Sequence, residues 1–200
     1  MTNSAAGFWS SYLTVRFKIQ LLRQLPRIQY FDSLCTRIYI DYEDKSCSEY
    51  LFGIWKKIWH EQNIVIVEGF RSRLGVGNDL FDNAKSLKRI LVPERNAFDV
   101  YEDIFNSVVK NSLKSDIILL AVGPTATVLA FDLAKVGYWA LDVGHIDIEY
   151  EWFKMGATEK IVVDNKYVNE ANYRGRDRFF DEKYEKSVVE KIISKAEKIS

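Results

Sequence analysis

Little in this sequence invites covalent or metal scaffolding. Only Cys35 and Cys47 supply thiols in 200 residues, and the two histidines are far apart at 60 and 145. With no CxxC pair and no histidine pair downstream, neither a disulfide framework nor a zinc site is signalled, and two reduced thiols suit a cytoplasmic protein. An excess of either charge is missing too: 28 Lys and Arg balance 28 Asp and Glu, so no net field recruits nucleic acid or an anionic surface. No apolar run approaches the roughly 20 residues of a transmembrane span, and no secretory leader is visible. Three prolines are too few for a fibrous or low-complexity chain. The 48% of hydrophobic residues is enough for one packed core.

The pattern that is present is alternation. From residue 64 onward, short apolar runs alternate with longer amphipathic ones, which is the signature of βαβ units and a parallel sheet. Strands are expected at residues 64–67 (IVIV), 89–92, 117–122 (IILLAV) and 138–143. Helices are expected at 79–87, at 97–109 capped by Asn96, and at 125–135 with Pro124 at its start. Strands that are apolar along their whole length call for helices on both faces. The fold class is therefore α/β, a Rossmann-like, mostly parallel sheet flanked by helices, with helical N- and C-terminal extensions. One domain covers 1–200: a mainly helical part at 1–62, the core at 63–153, and a tail at 154–200. That tail is irregular to residue 172 and carries a charged helix at 180–199. Phe8, Trp9, Tyr12, Leu13, Val15, Phe17, Ile19 and Leu21, interleaved with Arg16, Lys18 and Arg23, make residues 8–23 a helix suited to a membrane surface or a partner protein.

In open α/β sheets, ligands bind beyond the carboxyl ends of the strands, and there this sequence concentrates its polar and glycine residues. Strand one is followed by Glu68, Arg73, Gly75, Gly77, Asn78 and Asp79, strand two by Asn96, strand three by Gly123, Thr125 and Thr127, and strand four by His145, Asp147 and Glu149. Gly75-Val76-Gly77 ahead of a helix start could bring backbone N–H groups to a phosphate, or could simply serve a loop. Leu80 occupies the third glycine position of a dinucleotide fingerprint, which argues against a nicotinamide-dependent oxidoreductase. Asp147 and Glu149 are two residues apart. In extended chain both carboxylates would face one way and could share a Mg²⁺ or Mn²⁺ ion; otherwise they form a solvated acidic turn or the N-terminal charges of a helix beside a partly buried histidine.

Several longer motifs stand together: Phe31-Asp32-Ser33; Val67-Glu68-Gly69 with the run 72–81 (SRLGVGNDLF); the run 123–130 (GPTATVLA); and the run 142–152 (DVGHIDIEYEW). In this order they resemble the GT-D-fold glycosyltransferases, a bacterial family first catalogued as a domain of unknown function. The resemblance runs from about residue 30 to about residue 173. It implies a nucleotide-sugar donor, a hexosyl transfer to a glycan or glycoprotein acceptor such as a surface adhesin, and a divalent metal on a DxE motif, here Asp147 and Glu149. The loops at 72–79 and 123–127 would line the donor pocket with Arg73, Gly75, Gly77, Asn78, Asp79, Asn96, Gly123, Thr125 and Thr127. Glu68, His145 and Asp147 would be the catalytic candidates, with Glu68 or His145 as base or orienting group. Members of the family open with a further strand and an acidic, glycine-containing turn that this sequence does not show ahead of Phe8. The expectation is a trimmed or shortened member, or one whose missing piece is supplied elsewhere, and with it comes an alternative role as a binding subunit that assists other transferases.

Overall fold

The computed structural model describes residues 14–24, 34–173 and 180–193. Helix α1 (Val15–Gln24) and helix α2 (Ser48–Ile58) come first. They are followed by strands β1 (Asn63–Gly69) and β2 (Ser86–Val92). A 3₁₀ turn at Ala97–Val100 leads into α3 (Tyr101–Asn111), then β3 (Ile117–Ala121), α4 (Thr125–Lys135) and β4 (Trp139–Asp142). The chain continues through α5 (Ile146–Met155), α6 (Glu182–Ser187) and β5 (Val188–Lys191). The Phe31-Asp32-Ser33 motif and residues 8–13 lie outside the described residues. A helix does form over the rest of the 8–23 segment, with Val15 and Ile19 exposed.

The five strands form one sheet in the order β4-β3-β1-β2-β5, and every pairing is parallel. The chain steps from β1 to β2 on one side and then returns to place β3 on the other. The carboxyl ends of β1 and β3 thus flank the point where the winding reverses. Side chains alternate between the faces. Val65, Val67, Ile118 and Leu120 point toward Ile104 and Val108 of α3 and Leu129 and Leu133 of α4. Ile64, Ile66, Ile117 and Leu119 point toward Phe52 of α2 and Ile146, Ile148 and Trp152 of α5. Burying each such side chain contributes about 1.5–3 kcal/mol, so the two apolar layers hold the sheet between them.

Four expectations need correction. No helix forms over 79–87. Asn78 instead bends the chain by accepting the Leu80 N–H on its own side chain at 3.0 Å, and β2 begins at Ser86, which leaves too few residues for a helix. Residues 147–149 are helical rather than extended, because α5 starts right after His145 and ends at Gly156 in the left-handed region, φ 63°. Of the charged helix expected over 180–199, residues 194–199 lie outside the described residues, and the rest is a six-residue α6 followed by β5, which pairs with β2 and covers what would otherwise be an open sheet edge. Asn96 also departs from its expected part: it sits at φ 53° with no capping hydrogen bond from its side chain, ahead of a 3₁₀ turn.

Candidate active-site cleft

The long connection from β1 to β2 builds one wall of an open cleft of about 870 Å³, a size ordinary for small-molecule sites. Gly75, Gly77, Asn78 and Asp79 line it from the loop, Arg89 from β2, Glu151 and Lys154 from α5, and Asp181, Tyr184 and Lys186 from the start and body of α6. Gly75 is fixed at φ 74°, and a Cβ there would come within 2.5 Å of the Phe81 ring, so only glycine fits.

Beneath the loop sits Glu68, fully buried at the end of β1. Its Oε1 accepts from Arg89 at 2.5 Å and its Oε2 from the Leu74 N–H at 2.7 Å, while Arg89 also donates to the Leu74 carbonyl at 2.7 Å. Burial pushes the Glu68 carboxyl above its ordinary range against the pull of Arg89. With both oxygens engaged and no exposure, Glu68 holds the loop from beneath. Arg73 is buried at φ 51° and donates to the Asn165 carbonyl, so its guanidinium anchors the loop from behind.

Asp147 joins the loop from α5. Its Oδ1 accepts from the Gly75 N–H at 2.7 Å and from Asn78 Nδ2 at 2.9 Å, and Lys166 Nζ lies 3.0 and 2.8 Å from its two oxygens. Asp79 is held by Lys56 at 2.7 Å and by the Tyr150 hydroxyl at 2.8 Å, and these hydrogen bonds bring its carboxyl down to about 2. It stays an acceptor-only carboxylate on the cleft wall.

Elsewhere the structure separates what the sequence grouped. Two residues along a helix turn about 200°, so Glu149 leaves α5 on the side away from Asp147. Its Oε2 accepts the backbone N–H groups of Tyr39 and Ile40 at 3.0 and 2.8 Å, its Oε1 is buried without a hydrogen-bond partner, and burial pushes its carboxyl up. His145 faces the same region, where Arg37 donates to its Nδ1 at 2.9 Å. Thr127 donates to Asp142 at 2.7 Å, which ties α4 to β4, and Thr125 is buried. Asn96, Gly123, Thr125 and Thr127 lie past the ends of β2 and β3 and are not among the cleft-lining residues.

The family model of the glycosyltransferase GT-D fold matches residues 1–171. The chain belongs to the GT-D glycosyltransferases. It is similar to the probable glycosyl transferase Gly of Streptococcus gordonii, 42% identical over 187 residues, which are 92% of this chain and 27% of that protein. Glycosyltransferase GlyD of Streptococcus pneumoniae serotype 4 is 40% identical over 195 residues, 96% of this chain and 24% of that one. The chain thus spans about a quarter of the length of these curated relatives. Among solved structures it is similar to one described as the highly conserved domain of unknown function 1792 with a distinct glycosyltransferase fold. That match is at 41% identity and TM-score 0.84, over 95% of this chain and 68% of that one. A second, described as a new glycosyltransferase from Streptococcus sanguinis, matches at 40% identity and TM-score 0.81, over 96% and 72% of the two chains.

For a GT-D domain the DxE motif raises the question of a metal, and the donor set answers it locally. Asp147 and Glu149 do not fit a shared cation: one carboxylate is taken up by an ammonium and two N–H donors, while the other lies across the helix against the backbone of residues 39 and 40. Among the described residues no group of three or more His, Cys, Asp or Glu could hold a metal ion. The residues that do organise this GT-D cleft include several that sequence reasoning passed over. Arg89 is a charge inside an apolar strand, Glu151 lies one helical turn from Asp147, and Lys166 and α6 fall in the tail read as irregular or merely charged. A cation at a buried strand position was the one legible signal, since burial demands a partner of the kind Glu68 supplies.

Proposed function

We propose that this GT-D domain transfers a hexose from a nucleotide sugar, a UDP-sugar, to a hydroxyl of a glycan or glycoprotein acceptor, on the cytoplasmic side of the cell. The observation that carries the reading is the cleft of about 870 Å³ beside the Gly75–Asp79 loop, in a chain of a glycosyltransferase family. Its wall mixes the carboxylates of Asp79, Asp82 and Glu151 with the cations of Lys154, Lys183 and Lys186. Cations of this kind suit a diphosphate, and acceptor-only carboxylates suit sugar and ribose hydroxyls. Burial of Glu68 and Arg89 beneath the loop keeps that wall preorganised, which is where an enzyme of this class gains from positioning.

A second reading has an observation of its own. Glu68, Asp147 and His145, the three candidate catalytic groups, are each held by a cation or a buried backbone donor. This favours a binding subunit that presents the nucleotide sugar to another transferase. Calorimetry and UDP release with a panel of UDP-sugars, with Mn²⁺ and with chelator, separate the two. Turnover with one sugar is the expected result, binding without release supports the assisting role, and no binding of any UDP-sugar overturns both.

A further inference from the structure

Lys166 has a side chain only 3% exposed, and its ammonium faces carboxylates on two successive turns of α5. Nζ is 2.8 and 3.0 Å from the two oxygens of Asp147 and 2.7 Å from Oε1 of Glu151. Asn78 Nδ2 bridges the same pair at 2.9 and 2.7 Å. Two carboxylates one turn apart on a helix repel each other, and a buried pair is tolerated only with a cation between them. Here that cation is part of the chain. It is delivered by a segment that is itself pinned, since the Tyr167 N–H donates to the Arg71 carbonyl at 2.8 Å. From the ammonium the contacts run through Asp147 Oδ1 to the Gly75 N–H and the Asn78 amide, both on the cleft wall.

We propose that Lys166 is a tethered cation. Its ammonium fills the place between Asp147 and Glu151 that a divalent ion would otherwise take, and through Asp147 it holds the Gly75 to Asn78 wall in position. Asp147 and Lys166 are then positioning residues, and the aspartate of the DxE motif is not a metal ligand in this chain.

Two measurements on the 200-residue chain test this without requiring turnover: Mn²⁺ uptake read by electron paramagnetic resonance of the free ion, and amide hydrogen exchange at residues 75–78. Asp147→Asn is expected to leave the Mn²⁺ affinity of the chain within about twofold, whether that affinity is measurable or negligible; a loss of about tenfold or more, the usual effect of removing a ligand or its support, overturns the proposal. Lys166→Met is expected to acquire Mn²⁺ binding about tenfold or more beyond wild type, and Asp147→Asn in the same chain abolishes the gain. In metal-free Lys166→Met the amides of 75–78 exchange about tenfold faster, Mn²⁺ slows them again, and Lys166→Arg keeps them slow without metal. A lysine that served only as packing would loosen the loop without creating an ion site, and that outcome overturns the proposal. Should Lys166→Met fail to fold, Lys166→Gln carries the same arm, and the comparison of wild type with Asp147→Asn stands independently.

Discussion

The two faces of the sheet are built on different terms. Toward α3 and α4 the interior is an ordinary apolar layer, Val65, Val67, Ile118 and Leu120 against Ile104, Val108, Leu129 and Leu133, all essentially inaccessible. Toward α2 and α5 the same strands present Ile64, Ile66 and Leu119, but also Glu68 and Arg89, and α5 adds Asp147 and Glu149, every one of them buried. One face stabilises and nothing more. The other accepts the cost of burying charge, and it does so beside the cleft, where fixed dipoles and ion pairs hold a loop at a defined place. Buried charge in this domain therefore marks position, a specificity that apolar packing alone does not supply.

The strongest way to break the contrast is to remove one partner of the buried pair. Arg89→Met leaves the Glu68 carboxylate uncompensated and should cost about 3–5 kcal/mol in urea denaturation, with nucleotide binding lost as the loop is released. The double variant Glu68→Leu/Arg89→Met is expected to cost less than the sum of its parts. Leu129→Ala on the opposite face, costing about 2–5 kcal/mol from its cavity alone, should leave nucleotide binding unchanged. If Leu129→Ala impairs binding as much as Arg89→Met does, the two faces are not functionally distinct.

Gly75→Ala sharpens the comparison at the loop itself. The added methyl meets the Phe81 ring at a positive φ, so a loss of about 1–3 kcal/mol is expected together with weakened UDP binding, read by calorimetry. Native affinity in that variant would show that the Gly75 wall is not part of the ligand site.

The smallest effect is a pH dependence. The Asp79 carboxyl is held at about 2, below its ordinary 3.8. Its stabilising contribution is therefore complete above about pH 4 and is lost as pH falls toward 2. Asp79→Asn should lower stability modestly at neutrality, where the Lys56 and Tyr150 contacts contribute in full, and flatten the acid limb so that variant and wild type converge toward pH 2. An unchanged acid limb would mean that the Lys56 and Tyr150 contacts do not persist in solution.

How much of this was legible in the sequence follows from which interactions are local. The strands β1 to β4 were readable because IVIV and IILLAV can be little other than buried parallel strands, and the order of elements then gave the layers. The GPTATVLA run gave the start of α4 to within one residue, with Pro124 as its N-cap rather than its first helical position. The run IDIEYEW admitted two readings, because its alternation also fits extended chain. Yet Ile146 with Tyr150 and Ile148 with Trp152 are also four apart, and a helix buried on nearly every side satisfies both patterns. The extended reading carried the metal pairing with it, since only extended chain puts Asp147 and Glu149 on one side. β5 was illegible for another reason: residues 188–193 (VVEKII) suit either state, and the decision came from the unpaired edge of β2, a distant partner no local window contains.

That distant partner bears on the order in which the domain assembles. Arg89 on β2 meets Val188 on β5, which arrives roughly a hundred residues later along the chain, and the short α6 that walls the cleft is carried in with it. The loop closure that docks β5 is the longest in the sheet and yields only a four-residue edge strand. The central strands can therefore condense with α3 to α5 before the cleft has its second wall. Running in reverse, the least costly partial unfolding of the native domain is release of this same terminal unit, so the cleft is the last feature to form and the first to open.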